Sequence, residues 1–385
     1  MEGNMTKNEW LAPYAGKLSP RDMALLSECY QVLEDNTFCG DYPWGTARVI
    51  SPWRGRNAGI WNWDSVFHAM TVSRFDGELA KSCIDAFAAF QKADGMLPDV
   101  IYHNGVIMDN YSKPPVFAFG VLRVYERTGD RDFLARNYAR AARYEGFWRE
   151  ERFDRGLFFY SAQVSPEADD YLHPRWESGW DNSPRWDVWP ITSLWPIDLN
   201  CFMVLYYQAM AKMAVVLGED AGKWQEREAA LTAKIEENLF DEARGAYVDR
   251  NRETGAFSPK LSPASFMPLF AGFAPKARAA KMAALAKDRE KFFPGMPTIA
   301  YDDAGYDGDY WRGPTWLNVA YFALKGLHNY GFTETAGAMR EYLLDLAHKH
   351  LPYIHENYDT KKGVGCSCAR FSWSACFFIE FILDW

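Results

Sequence analysis

No run of 18 apolar residues occurs in this 385-residue chain, so no membrane-spanning helix is expected. The first ten residues, Met1 to Trp10, lack both a basic start and an apolar core, so no signal peptide is expected either. Gly/Ser-rich tracts, low-complexity segments and blocks of like charge are absent, and nothing divides the chain; one domain over residues 1–385 is expected. Positive charge is in deficit, with 42 Lys and Arg against 51 Asp and Glu, a net charge of -9. That balance argues against nucleic acid or an anionic membrane surface as the main partner. Histidines number only 7. The 7 cysteines are an odd count, and Cys366-Ser367-Cys368 is too tightly spaced for a zinc ribbon. With no metal-ligand spacing and no Gly-rich phosphate loop, neither a metal nor a cofactor is expected. The cysteines are expected to be reduced and structural and the chain cytoplasmic; a homo-oligomer is compatible with the sequence.

What the chain has in excess is aromatic residues: 16 Trp, 21 Tyr and 26 Phe make up 16% of it. Some must be core, and the surplus suggests that several line a cleft. Helical patterns recur throughout, over 20–34, 65–74, 78–92, 114–127, 130–152, 198–217, 221–239, 265–271, 275–288, 314–330, 334–350 and 369–384. Ser19 caps the first with Pro20 in its first turn, Gly129 ends the fourth, and Asp130 caps the fifth. Short hairpins are expected at 156–161 and 245–259, and a loop over 164–196. About eleven or twelve helices in sequential pairs suit an all-α fold, an (α/α)6 barrel (a toroid) with small β-hairpin insertions. An open solenoid is the alternative, but no sequence period supports it.

Two acid-bearing segments stand out, Glu177-Ser178-Gly179-Trp180-Asp181-Asn182-Ser183-Pro184-Arg185-Trp186 and His355-Glu356-Asn357-Tyr358-Asp359. Glycoside cleavage needs two carboxyl groups flanking a sugar, and aromatic rings supply the flat surface on which its C–H face rests. Acids near tryptophans are more often caps or members of structural ion pairs. The same style recurs, however, at Trp61-Asn62-Trp63-Asp64 and at Asp309-Tyr310-Trp311-Arg312-Gly313-Pro314-Thr315-Trp316.

These four segments, in this order, resemble the α/α-barrel glycoside hydrolases of family 63, including the mannosylglycerate and glucosylglycerate hydrolase type, with trehalases as more distant relatives. The resemblance runs from about Asn57 to the C-terminus. It implies inverting hydrolysis of a small α-linked glycoside, an α-glucoside or α-mannoside, with Asp181 matching the general acid and Glu356 the general base. An inverting pair stands about 6.5–9.5 Å apart, leaving room for water. Trp180 and Trp186 are expected to raise the Asp181 pKa by desolvation, and Glu356 is expected to stay ionised. Glu177 is the rival acid, with a structural role favoured, and Asp359 is expected to cap the turn that follows it. Asp64 matches a sugar-hydroxyl acceptor, the favoured role, and can also cap the helix starting at Ser65. Trp63, Trp180, Tyr310, Trp311, Trp316 and Trp373 are expected in or beside the sugar pocket, and Gly179 and Gly313 where backbone approaches the ligand. Arg185 and Arg312 either bond sugar hydroxyls or neutralise Glu177 and Asp309.

One departure from the family's pattern is Ser112-Lys113-Pro114-Pro115, where Ser-Gln-Pro-Pro is expected. A buried lysine needs a counter-charge. Either Lys113 pairs with Asp64 or Asp109, or the substrate's sugar carries an anionic group. Two other function classes compete with the hydrolase. A sugar epimerase working through paired histidines is disfavoured by the shortage of histidine, and a silent sugar-binding protein by the presence of both Asp181 and Glu356.

Overall fold

The computed structural model describes residues 5–43, 45–55, 58–162 and 172–385. Asn57, where the family resemblance begins, and residues 164–171 of the expected 164–196 loop lie outside them.

Among the described residues twelve helices form two concentric layers. Six are inner: α2 (Asn62–Val72), α4 (Phe117–Thr128), α6 (Ile197–Leu217), the short α8 (Met267–Phe270), α10 (Leu317–Asn329) and α12 (Ser372–Leu383). Each touches the next and α12 touches α2, so the ring closes. The outer helices are α1 (Pro20–Asp35), α3 (Gly77–Ala88), α5 (Arg131–Glu151), α7 (Gly222–Asn238), α9 (Lys276–Lys287) and α11 (Thr333–His350). Most sequential partners pack together, as α2 with α3 or α6 with α7, and α1 covers α12. This is the (α/α)6 barrel. By length and composition α6 would cross a membrane, but here most of it is buried as an inner wall.

Local chemistry accounts for the helix ends. Ser19 accepts the Asp22 N–H at 3.2 Å and Asp130 accepts the Phe133 N–H at 2.8 Å, each satisfying an orphan donor of its helix. Gly129, at φ 67, closes α4. The barrel axis is filled by one phenylalanine from each inner helix: Phe67, Phe119, Phe202, Phe270, Phe322 and Phe377. Their contacts include Phe270–Phe322 at 4.8 Å and Phe67–Phe377 at 5.1 Å between ring centroids. This plug makes the barrel a packed core and leaves a ligand room only at its ends.

Strand structure is richer than the sequence pattern suggests. A hairpin of β1 (Thr37–Tyr42) and β2 (Gly45–Ile50) follows α1. A three-stranded sheet joins β3 (Gly59–Trp61), β4 (Val100–Tyr102) and β5 (Ile107–Met108). A last hairpin, β6 (His355–Asp359) with β7 (Val364–Ala369), runs up to α12. The expected 369–384 helix therefore begins three residues late, because 364–369 is drawn into that hairpin. A short helix, Leu172–Ser178, occupies part of the region expected to be loop.

Candidate active site

A cavity of about 310 Å³ sits over the phenylalanine plug at the N-terminal ends of α2, α10 and α12. The residues preceding those helices, Trp61, Trp316 and Phe371, all line it. The positive ends of three helix dipoles thus converge on one space, which favours electron-rich ligand groups.

The walls are tryptophan. Trp311 lies flat on Trp316, with centroids 4.0 Å apart and planes 9° apart. Trp63 stands 6.5 Å from Trp311 and meets Trp373 edge-on at 5.1 Å, while Trp316 meets Trp373 at 5.4 Å. Trp63, Trp311, Trp316 and Trp373 all line the cavity, as does Tyr310.

Two carboxyls enter from separate segments. Asp181 follows Gly179, whose φ of 71 permits a turn that brings its backbone against Trp63; a Cβ there would lie 2.4 Å from Trp63 Cζ2. Asp181 Oδ1 is buried with no hydrogen-bond partner, and both Asp181 and Tyr310 line the cavity. Burial raises the Asp181 pKa, opposed by Lys113 and Tyr310. Tyr310 is itself held in the left-handed region, at φ 47. Asn182 fixes its turn by accepting the Trp311 N–H at 2.9 Å and donating to Asp309 Oδ2 at 2.9 Å.

Glu356 comes from β6, where the register shifts between His355 and Asn357. Such an irregularity re-aims a side chain, and this one delivers Glu356 to the cavity. Its Oε2 accepts the Cys368 N–H at 3.4 Å, and Ser374 holds its backbone carbonyl at 3.0 Å. Burial pushes the Glu356 pKa up to about 7, and the Asp181 charge adds to the rise. Desolvation thus outweighs its hydrogen bonds, so Glu356, expected to stay ionised, is predominantly so only above that value.

Asp64 also faces the cavity, with its pKa pushed up to about 8 by burial and opposed by Lys113. It does not cap a helix: α2 starts at Asn62, and its first turn is tied down by the Asn62 N–H to Asp99 O at 2.8 Å. Lys113 reaches the cavity floor, where its counter-ion is Asp99 at 3.3 Å rather than Asp64 or Asp109. Asp109 instead faces Lys92 at 3.7 Å. Lys113 also donates to Trp176 O.

Several expected contacts lie elsewhere. Arg185 is buried behind the wall, bonded to Asp198 at 2.7 Å and Asp249 at 2.8 Å, with its guanidinium 4.7 Å from the Trp180 ring and 4.5 Å from Trp186. It does not line the cavity and is paired with these two aspartates, not with Glu177. Trp180 does not line the cavity but backs Trp311 at 4.9 Å. Gly313, at φ 132, approaches Tyr306 rather than the cavity; a Cβ there would lie 2.7 Å from that ring. Arg312 pairs with Asp187 at 2.8 Å and Asp307 at 2.9 Å, not with Asp309. Glu177 is fully buried, bonded by Arg152 at 3.3 Å and by the Ser161 N–H at 2.7 Å, so it cannot rival Asp181. Asp359 caps its turn as expected, accepting the Lys361 and Lys362 N–H groups at 3.0 Å.

The cavity also recruits Pro52, Trp53 and Cys368, which no motif signalled. Trp61 opens the Trp61–Asp64 motif and Phe371 lies two residues before Trp373; neither was singled out, and their position just before a helix was the available clue. Among the described residues no group of three or more His, Cys, Asp or Glu side chains is placed to hold a metal ion.

A family model described as the mannosylglycerate hydrolase MGH1-like glycoside hydrolase domain matches residues 57–374. A mannosylglycerate hydrolase of Thermus thermophilus is 27% identical over 82% of this chain and 92% of its own length. That of Rubrobacter radiotolerans is 23% identical over 84% and 90%. Among solved structures, a GH63 mannosylglycerate hydrolase from Thermus thermophilus in complex with Tris and D-glycerate superposes with a TM-score of 0.81. It is 23% identical and is matched over 93% of this chain and 100% of that one. The neutral trehalase Nth1 of Saccharomyces cerevisiae shares the fold at a TM-score of 0.70 and 17% identity, over 92% of this chain and 79% of its own.

Proposed function

From the premise that this chain belongs to the mannosylglycerate hydrolase MGH1-like family and is a glycoside hydrolase, we propose that it cleaves a small α-linked glucoside or mannoside with inversion. The observation that carries this reading is that Asp181 and Glu356, brought from a loop and a hairpin far apart in sequence, line one tryptophan-walled cavity. Asp181 is the general acid. Its carboxyl proton passes to the glycosidic oxygen as the C1–O bond breaks, and the aglycone leaves as an alcohol. Glu356 is the general base. It takes a proton from a water whose oxygen forms the new bond to C1 from the opposite face. Proton exchange with solvent then restores both groups.

The environments suit those roles. An acid must be protonated before reaction, and burial favours the neutral Asp181. A base works best with a pKa near the operating pH, and about 7 meets that condition for Glu356. Tyr310 orients the acid, and Asp64 is a sugar-hydroxyl acceptor. Trp63, Trp311, Trp316 and Trp373 give the ring its apolar contact and exclude water.

The reacting sugar is neutral in this reading. Lys113 is paired with the buried Asp99 at 3.3 Å, so its charge is already matched by a protein carboxylate and is not left for a substrate anion. The test is sugar release from a panel of neutral and anionic α-glucosides, α-mannosides and glycosylglycerates. Release from neutral-ring members supports the reading; release confined to glycosides with an anionic reacting ring removes the neutral-sugar assignment.

A further inference from the structure

Beside the catalytic cavity lies a second one, of about 380 Å³, lined by Asp35, Asn36, Trp53, Arg54, Ala369 and Arg370. Trp53 is common to both, and at 40% exposure it is one of the few large apolar side chains left open. We propose that this outer cavity is an aglycone subsite for a sugar ring. The substrates would then be glycosides of two or more rings, a class that rests on the hydrolase reading above.

Three observations lead there. A cavity of about 310 Å³ lies at the small end of the roughly 300–1,000 Å³ usual for ligand sites, so an aglycone must extend outward past Trp53. An exposed indole bordering both spaces offers the flat face on which a sugar's C–H surface packs.

The polar rim is also held in place. Arg370 sits in the left-handed region at φ 59, a strained conformation for a non-glycine residue. It is fixed from α1 by Glu28 at 2.7 Å, Asp35 at 2.5 Å and the Asn36 side-chain amide, which donates to its carbonyl at 2.9 Å. Arg54 donates to Asp35 O and to Thr37 O, and its guanidinium lies 4.6 Å from the Phe38 ring centroid. The Arg370 charge is met by two carboxylates, so the rim offers mixed donors and acceptors. Hydroxyl groups, which both donate and accept, match it better than an anion does.

The experiment is calorimetric binding to Asp181→Asn, which reads the subsite without turnover. Methyl α-D-glucopyranoside and methyl α-D-mannopyranoside are compared with maltose, maltotriose, α-1,2-mannobiose and the corresponding mannotriose. Added rings are expected to tighten binding at least tenfold in one series, and both Trp53→Ala and Arg54→Ala in that background to remove most of the gain. No gain from added rings, or a gain that survives both substitutions, overturns the proposal. Failure of the hydrolase reading shows differently, as no sugar release by the wild-type chain from any glycoside while the ring-dependent binding persists.

Discussion

Lys113 Nζ lies 3.3 Å from Asp99 Oδ1, with both side chains almost fully buried at the floor of the cavity. The pair explains how a lysine is tolerated among carboxyls. Its charge opposes the upward pKa shifts of Asp64, Asp99 and Asp181, and their charges raise its own pKa.

Removing that charge leaves Asp99 buried and unpaired, a change that costs about 3–5 kcal/mol in comparable pairs. Lys113→Gln is therefore expected to lower stability in denaturant titrations by about that amount at pH 8, where the carboxyls ionise. Turnover of neutral and anionic glycosides is expected to fall alike. A loss confined to anionic substrates would instead mean that Lys113 reads charge on the sugar.

The pH dependence of kcat/KM reports the free enzyme, in which Glu356 must be ionised to act as base. With its pKa at about 7, kcat/KM is expected to fall tenfold per pH unit on the acid side of about 7. An acid limb near the ordinary glutamate value of 4.5 would show that Glu356 is not the limiting base.

The same shift predicts a trade between activity and stability. A carboxyl whose folded pKa is raised supports the fold at low pH and loses that contribution as pH climbs through the folded value. For Glu356 the window runs from 4.5 to about 7, so above it the native state carries a penalty on the order of 3 kcal/mol. Glu356→Gln is expected to abolish turnover while raising Tm by several degrees at pH 8 and leaving it nearly unchanged at pH 4. Equal Tm shifts at both values would point to packing, not charge, as the cause.

Much of this architecture was legible in the sequence where the signal was local. Ser19, Gly129 and Asp130 mark helix ends because a cap is settled within a few residues. The barrel followed from the count and pairing of helices, and the acids and cavity tryptophans from short motifs. Tertiary partners were not legible. Asp99 precedes Lys113 by a whole β-turn segment, and only the folding of β3–β5 beneath α2 brings them together. Arg185 and Trp180 sit within the same motif as Asp181, but a motif does not show which side of a turn faces the ligand. The hairpin that carries Glu356 was missed because residues 364–369 are small and only partly buried, with no alternation to betray a strand.

The most direct test of the central claim is proton NMR of the first sugar released from an α-glycoside substrate, with Asp181→Asn run in parallel. The account predicts the β-anomer as the initial product from wild type and almost no release from the variant. Initial α-anomer, or undiminished release by Asp181→Asn, would contradict it.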